Sequence, residues 1–278
     1  MIFADMFAWL ADPANWTGPA GVPARVGQHL LYCLIAVAAA SAIGVPLGLW
    51  VGHTGRGGLL LVGTSNSIRA LPTLGLVTLL YLVAGGGTGP VLVGLVVLAI
   101  PPILAGTYAG VQDVDRGVVD AARGMGMTGW QRLWQVELPN ATPLLMSGIR
   151  SAMLQVVATA SVAAYVGLGG LGRPLLDGLR VLDYGQFVAG AVLIALLAVL
   201  LDAVLAVFQR VVVPHGLRVV ARAAKRPASA NRSSQPERTG DAGESGASGD
   251  TGAAGTTGES AAELAIMASR RETGGSER

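Results

Sequence analysis

Five long apolar segments constrain the fold of this chain more than any other feature of the sequence. They cover approximately residues 28–52, 66–85, 88–111, 146–169 and 186–213. A helix needs about 20 mainly apolar residues to cross the hydrocarbon core of a bilayer, and each segment is long enough. We therefore expect an all-α membrane protein with about five transmembrane helices.

The composition indicates the same class. Apolar residues make up 52% of the 278 residues, and Asp, Glu, Lys and Arg together only 13%, about half the share found in soluble proteins. Glycine is abundant, with 40 residues, and small residues let membrane helices approach each other closely. Cys33 is the only cysteine, which excludes an intrachain disulfide and a cysteine metal site.

The basic residues predict the orientation of the chain in the membrane. No acidic residue interrupts the series that follows the fifth segment, namely Arg210, Arg218, Arg222, Lys225, Arg226 and Arg232. Loops rich in Lys and Arg stay on the cytoplasmic side, so the C-terminus should be cytoplasmic. Five crossings then put the N-terminus outside and the polar loop 112–145 in the cytoplasm.

Composition also divides the chain into three parts. Residues 1–24 combine aromatic residues with acidic residues and prolines, and aromatic rings favour the membrane interface, so we expect an extracytoplasmic, interfacial segment. Residues 25–220 form the transmembrane domain. Residues 221–278 are dominated by Gly, Ser, Thr, Ala and Glu, a composition that cannot bury a core, so we expect a disordered cytoplasmic tail.

The loop 112–145 predicts two short helices joined by a turn. Acidic residues near Asp120 suit the positive end of a helix dipole, and Ala121 and Ala122 leave the backbone of that helix accessible to another protein. Gly124, Gly126 and Gly129 weaken helix continuation, and an apolar stripe then resumes at helical spacing. Leu138-Pro139 and Pro143 should end the second helix before the fourth span.

The spacing within this loop resembles the EAA loop of ABC-importer permeases, the cytoplasmic element that docks into the ATP-hydrolysing subunit. Three residues separate Ala122 from Gly126, and nine separate Gly126 from Val136. Asp120 replaces the usual Glu, and Val136 the usual Ile. The resemblance implies a type I ABC-importer permease fold with a cytoplasmic coupling loop. The coupling residues that it implies are Asp120, Ala121, Ala122 and Gly126, with Leu138 and Pro139 fixing the return of the chain.

Three further phrases resemble the permeases of osmoprotectant importers, which carry glycine betaine, choline, carnitine or proline betaine. They are residues 70–76 (ALPTLGL), 100–104 (IPPIL) and 167–172 (GLGGLG). The implied partners are ABC ATPase subunits, an extracytoplasmic substrate-binding protein and a second permease chain, in a bacterial cell membrane. Methionine, sulfonate and phosphonate permeases share parts of these phrases, so an importer of another small solute stays open.

Prolines and polar residues within the spans predict where a solute could pass. Pro72 and Pro101 interrupt the second and third segments, and transporters place such helix breaks on the substrate path, although packing kinks are the equal alternative. The residues that we expect as pathway lining are Pro72, Thr73, Pro101, Thr107, Tyr108 and Gln155. Asp202, inside the fifth segment, is a functional candidate, but the preferred interpretation is a structural role in which it faces a neighbouring subunit and bonds to polar groups.

The remaining motifs argue against an enzyme. Residues 124–129 match GxGxxG, but they lie between membrane spans and not after a strand, as a dinucleotide site requires. The chain contains no GxxxxGK[ST] phosphate loop, so ATP should be bound by a partner chain, and we expect no cofactor here. His29, His53 and His215 lack evident catalytic partners, so a membrane enzyme, like a membrane scaffold, is the weaker alternative. Nothing in the sequence indicates a nucleic-acid partner.

Overall fold

The structure is a computed structural model that describes residues 2–212, and within that range every regular element is helical. The ten α-helices are α1 (Ile2–Ala11), α2 (Val22–Thr54), α3 (Gly58–Ala70), α4 (Thr73–Val83), α5 (Thr88–Gln112), α6 (Arg116–Gly124), α7 (Gly129–Arg132), α8 (Leu138–Ala163), α9 (Gly172–Arg180) and α10 (Tyr184–Val212). A π-helical turn, Leu133–Glu137, joins α7 to α8. The predicted tail, 221–278, and the last residues of the predicted transmembrane domain lie outside the described range.

Four helical runs in the described range are long and apolar enough to cross a membrane. They are α2, α5, the continuous run Gly129–Val166 and α10. The second predicted segment, 66–85, is not one spanning helix, which corrects the sequence-based expectation. It is divided between α3 and α4, because Pro72 has no N–H and disfavours helical backbone at Leu71, which is extended at φ −67° and ψ 135°.

The packing of α2 on α5 shows that these two helices run in the same direction. Three glycines of α2, four residues apart, face three α5 side chains with the same spacing, in the pairs Gly44–Ile103, Gly48–Thr107 and Gly52–Val111. A Cβ added at Gly48 would lie only 2.7 Å from the Thr107 Cβ. Because α2 and α5 are parallel, the pair α3 and α4 returns the chain along the bundle and makes the second pass.

The packing of α5 on α8 is antiparallel and brings the two backbones into contact. A Cβ at Gly106 would lie 2.7 Å from the Gly148 Cα, and one at Gly110 would lie 2.7 Å from the Ala141 carbonyl oxygen. Close backbone approach through small residues is a principal source of helix association in membranes, where the hydrophobic effect does not drive it. The helices α2, α5 and α8 therefore form the packed centre of the bundle.

Helix α10 completes a fifth pass, antiparallel to α8. Side chains near the beginning of α8 contact the end of α10, since Gln209 donates to the Pro143 carbonyl oxygen at 3.1 Å. We call this end of the bundle the loop end; α2 and α5 also end there, and α6 lies beside it. Helix α1 lies at the opposite end, where a Cβ added at Gly185 would lie 2.7 Å from the Asp5 Cβ.

The predicted stop before the fourth span is wrong. Helix α7, the π-helical turn, α8 and a short 3-10 turn at Ala164–Val166 form one uninterrupted run of 38 residues, Gly129–Val166. Pro139 directly follows the π-helical turn, in which the Leu138 N–H bonds to the Leu133 carbonyl oxygen, and Pro143 is accommodated inside α8. The loop that separates the third and fourth passes is consequently reduced to α6 and the two short turns that flank it.

The substitution Gly106→Ala tests the backbone contact between α5 and α8. The added Cβ would overlap the Gly148 backbone, so we expect a loss of about 1–3 kcal/mol in the free energy of unfolding. Gly27→Ala is the matched control, because a Cβ at that helical glycine meets no atom within 4 Å. The midpoint of thermal unfolding in detergent should fall for Gly106→Ala only, and equal midpoints would contradict this packing.

Candidate functional site

The predicted coupling region begins with the short helix α6 at the loop end of the bundle. Asp115 caps this helix, because its Oδ1 accepts a hydrogen bond from the Gly117 N–H at 2.8 Å. Asp120 is exposed and forms an ion pair with Arg123 at 3.3 Å, which contributes little because both side chains are solvated. Ala121 is exposed, whereas Ala122 is buried against the bundle.

The turn after α6 depends on Gly126. The Met127 N–H bonds to the Ala122 carbonyl oxygen at 3.2 Å, and the Gly126 N–H to that of Arg123 at 2.9 Å. These two bonds define a Schellman motif, which places a left-handed residue after the helix, and Gly126 has φ +82°. A side chain here would meet no atom within 4 Å, so glycine is required by backbone conformation and not by space.

A capping box begins the helix that leads back into the bundle. The Thr128 hydroxyl accepts from the Gln131 N–H at 3.3 Å, and the Gln131 side chain accepts from the Thr128 N–H at 2.9 Å. Together these contacts satisfy two helix-terminal donors. The π-helical turn that follows α7 is a rare geometry that often occurs at functional sites.

The surface of this unit is apolar as well as exposed. Trp130 and Trp134 are in edge-to-face contact, with ring centroids 5.4 Å apart. Both indoles are exposed, and so are Val118 on α6 and Met125 in the turn. Exposed apolar patches of this kind mark surfaces that another protein or a membrane covers. Asp120, Ala121 and Gly126 lie exposed on the same short unit, whereas Leu138 and Pro139 are half-buried in the first turn of α8.

A ring of three polar side chains, one buried and two half-buried, lies beneath the unit and was missed by sequence reasoning. The Glu137 carboxylate, 4% exposed, contacts Arg132 Nε at 2.8 Å and His53 Nδ1 at 2.6 Å. Arg132 Nη2 lies 3.4 Å from His53 Nε2. His53, which the sequence left without a partner, thus connects the end of α2 to the beginning of α8. The sequence feature that could have indicated this ring is Glu137, an acidic residue inside an apolar helical stripe, because a buried carboxylate needs a cationic partner.

The residues predicted to line a pathway are not assembled into one surface. Pro101 and Thr107 are buried in α5, and the Thr107 hydroxyl donates to the Ile103 carbonyl oxygen at 2.8 Å. Pro72 and Thr73 are exposed at the break before α4. Tyr108 is half-buried against α3, where a Cβ at Gly58 would lie 2.5 Å from its hydroxyl oxygen.

Gln155 has a structural contact that the sequence did not predict. Pro102 cannot donate to the carbonyl oxygen of Leu98, its normal partner in the helix. The Gln155 Nε2 donates to this oxygen at 3.2 Å from the neighbouring α8. The kinked α5 therefore remains continuous because another helix satisfies the freed group, as such breaks in membrane helices require.

Asp202 is held in a network within the same chain. Its two carboxylate oxygens each lie 2.8 Å from Arg150 Nη2, and Oδ1 lies 3.0 Å from Arg150 Nε. Arg150 Nη1 also donates to the Gln209 side chain at 3.2 Å. The network joins α8 to α10 within one chain, so the contact is structural as expected, but its partner is not in a neighbouring subunit. Sequence reasoning missed Arg150 as the partner.

Removing one member of the Arg150–Asp202 ion pair should lower the free energy of unfolding more than removing both. We expect Asp202→Leu, which leaves Arg150 unpaired, to lower the free energy of unfolding by about 2 kcal/mol. This loss is smaller than that for a fully buried pair, because both side chains are about one-third exposed. The double variant Arg150→Met/Asp202→Leu should recover part of that loss. Thermal unfolding in detergent measures both, and a double variant less stable than Asp202→Leu would contradict the pairing.

Comparisons with known proteins identify the kind of chain that carries this arrangement. Residues 44–215 match the family described as binding-protein-dependent transport system inner membrane component. The chain is 35% identical over 194 residues to the glycine betaine/carnitine/choline transport system permease protein OpuCB of Bacillus subtilis (strain 168), covering 70% of this chain and 89% of that protein. It is 36% identical over 196 residues to the osmoprotectant import permease protein OsmW of Salmonella typhimurium, covering 69% and 91%.

A solved structure shares the fold. The inward-facing MetNI methionine ABC transporter contains a chain that matches with a TM-score of 0.61 at 22% identity, covering 68% of this chain and 94% of that one.

Proposed function

Because the chain belongs to the family of binding-protein-dependent transport system inner membrane components, we propose that it is the permease subunit of an ATP-driven importer of osmoprotectants such as glycine betaine, choline, carnitine or proline betaine. The observation that carries the proposal is the exposed α6–turn–α7 unit at one end of a bundle that crosses the membrane. The relatives that are named as permeases for these compounds supply the class of solute.

The α6–turn–α7 unit is the surface for the partner ATPase. Asp120, Ala121 and Gly126 are exposed on it, and small residues let a partner approach the backbone. Ala122, Leu138 and Pro139 hold the unit on the bundle. ATP is bound and hydrolysed in the partner subunits, whose closure would displace the unit. Since α7 continues into α8, this displacement is applied directly to a central helix.

The proposed orientation of the chain in the membrane rests on the positions of its basic residues and on the direction of its helices. Basic residues after the fifth segment place the end of α10 in the cytoplasm. Helix α10 ends at the loop end of the bundle, beside the beginning of α8. We therefore assign the α6–turn–α7 unit to the side where ATP is found, and the N-terminus to the outside.

Solute recognition is shared with other chains. A quaternary ammonium group is bound best by a cage of aromatic rings, and aromatic residues are only 5% of this sequence. We therefore assign high-affinity recognition to an extracytoplasmic binding protein. Five passes enclose too little space for a pathway, so a second permease chain completes it.

ATP-dependent uptake of labelled glycine betaine into vesicles that hold the full complex tests this function. We expect Gly126→Asp to reduce uptake about tenfold, a typical coupling effect, because Asp strains the turn and adds charge to the docking surface. Gly18→Asp is the matched control, since Gly18 also has a positive φ, +79°, and open surroundings, and lies before α2 at the opposite end. It should leave uptake unchanged.

Competition in the same assay identifies the solute. Choline, carnitine and proline betaine should each block betaine uptake, whereas methionine should not. If methionine is transported and betaine is not, the solute assignment is wrong and the permease assignment stands. Uptake that proceeds equally in the Gly126→Asp complex would contradict the role of the turn.

A further inference from the structure

The ring of His53, Arg132 and Glu137 has a consistent set of donors and acceptors. Arg132 Nε donates to Glu137 Oε1, and Arg132 Nη2 points to His53 Nε2. If His53 Nε2 accepts, the ring proton lies on Nδ1, which donates to Glu137 Oε2. Each of the three side chains then bonds to the other two, which closes the ring.

The ring links two helical segments that face each other across an open groove. The groove has a volume of about 320 Å³, and its walls are α2 on one side and α7 with the π-helical turn on the other. Leu49 and Trp50 lie on the α2 side, opposite Trp130 and Trp134. Room for relative movement is therefore present along the groove, and His53 contacts Glu137 where the two walls meet.

The ring resists separation because Glu137 is buried. A carboxylate at 4% exposure loses most of its hydration, so removing its partners would leave an uncompensated charge. An apolar cluster of Leu49, Val111, Leu133 and Ala141 lies beside it, and the Gln112 side chain donates to the Gly52 carbonyl oxygen at 3.1 Å. The ends of α2, α5 and the beginning of α8 are thus held together at this point.

We propose that the His53–Arg132–Glu137 ring is the joint that transmits movement of the α6–turn–α7 unit to α2. This proposal rests on the proposed permease function. Displacement of the unit moves α8 directly through the continuous helix, and the contacts of Glu137 and Arg132 with His53 carry the end of α2 with it. The glycines of α2 that pack on α5 then pass the tilt to the third pass. Glu137 and His53 act as positioning residues.

Two spin labels on the full complex with its ATPase subunits would measure this transmission. Labels at Ile43→Cys on α2 and Leu196→Cys on α10 lie on exposed positions, and the native Cys33 is fully buried and will not react. In the parent protein, ATP with vanadate should change the distance between the labels. Glu137→Gln, which keeps the shape of the side chain, should abolish that change and lower uptake per ATP hydrolysed about tenfold.

Asp202→Asn is the matched control, since it neutralises a carboxylate in an ion pair between α8 and α10 that includes no residue of α2 or of the α6–turn–α7 unit. It should lower the unfolding temperature but leave both the distance change and the uptake per ATP unaltered. His53→Asn, whose amide can donate from the position of Nδ1, should retain coupling, and His53→Leu should lose it. These contrasts separate a positioning role from a loss of stability.

Retention of the α2 distance change in Glu137→Gln and His53→Leu would overturn the joint. Loss of the distance change in Asp202→Asn, to the same extent as in Glu137→Gln, would also overturn the joint. A parent complex that shows the distance change but takes up no betaine overturns only the assigned solute. A parent complex with no nucleotide-dependent change overturns the permease function, and the joint with it.

Discussion

The close approach of three helix backbones is the constraint on which the rest of this structure depends. Glycines of α2 receive side chains of α5, and glycines of α5 and α8 bring those two backbones into contact. In a bilayer, apolar side chains gain little by leaving lipid, so helices associate through close packing and hydrogen bonds. The spacing of four residues between the α2 glycines fixes which faces meet. This packing brings the ends of α2 and α5 to the beginning of α8 and so creates the base on which α6 and α7 rest.

The exposed α6–turn–α7 unit is built on that base by local rules. A Schellman motif at Gly126 ends α6 and a capping box at Thr128 begins α7, so the turn is held by its own hydrogen bonds and leaves its outer face free. Behind it, α7 continues without a break into α8, and the buried Glu137 links this helix to α2. A displacement of the exposed unit can therefore reach the bundle in two ways. It can act on α8 through the continuous helix, and on α2 through the ring of His53, Arg132 and Glu137.

The sequence predicted the apolar passes and the coupling motif because each is encoded by neighbouring residues. The effects of prolines were less predictable, since they depend on other helices. At Pro102 the freed Leu98 carbonyl oxygen finds Gln155 on α8, and α5 continues. At Pro72 the helix breaks and the second pass becomes α3 and α4. Before Pro139 the chain forms a π-helical turn and the helix continues, so the expected stop did not occur. The pairs Arg150–Asp202 and His53–Glu137 join residues far apart in the chain, and no local pattern specifies them.

The central claim is that α6 and α7 form the docking surface for a nucleotide-hydrolysing partner. Hydrogen–deuterium exchange, measured on the chain alone and in the full complex with its ATPase subunits, tests that claim most directly. The account predicts that assembly slows exchange of backbone amides in residues 116–132 and leaves residues 167–172, at the opposite end of the bundle, unchanged. Slowed exchange at residues 167–172, with none at 116–132, would contradict it.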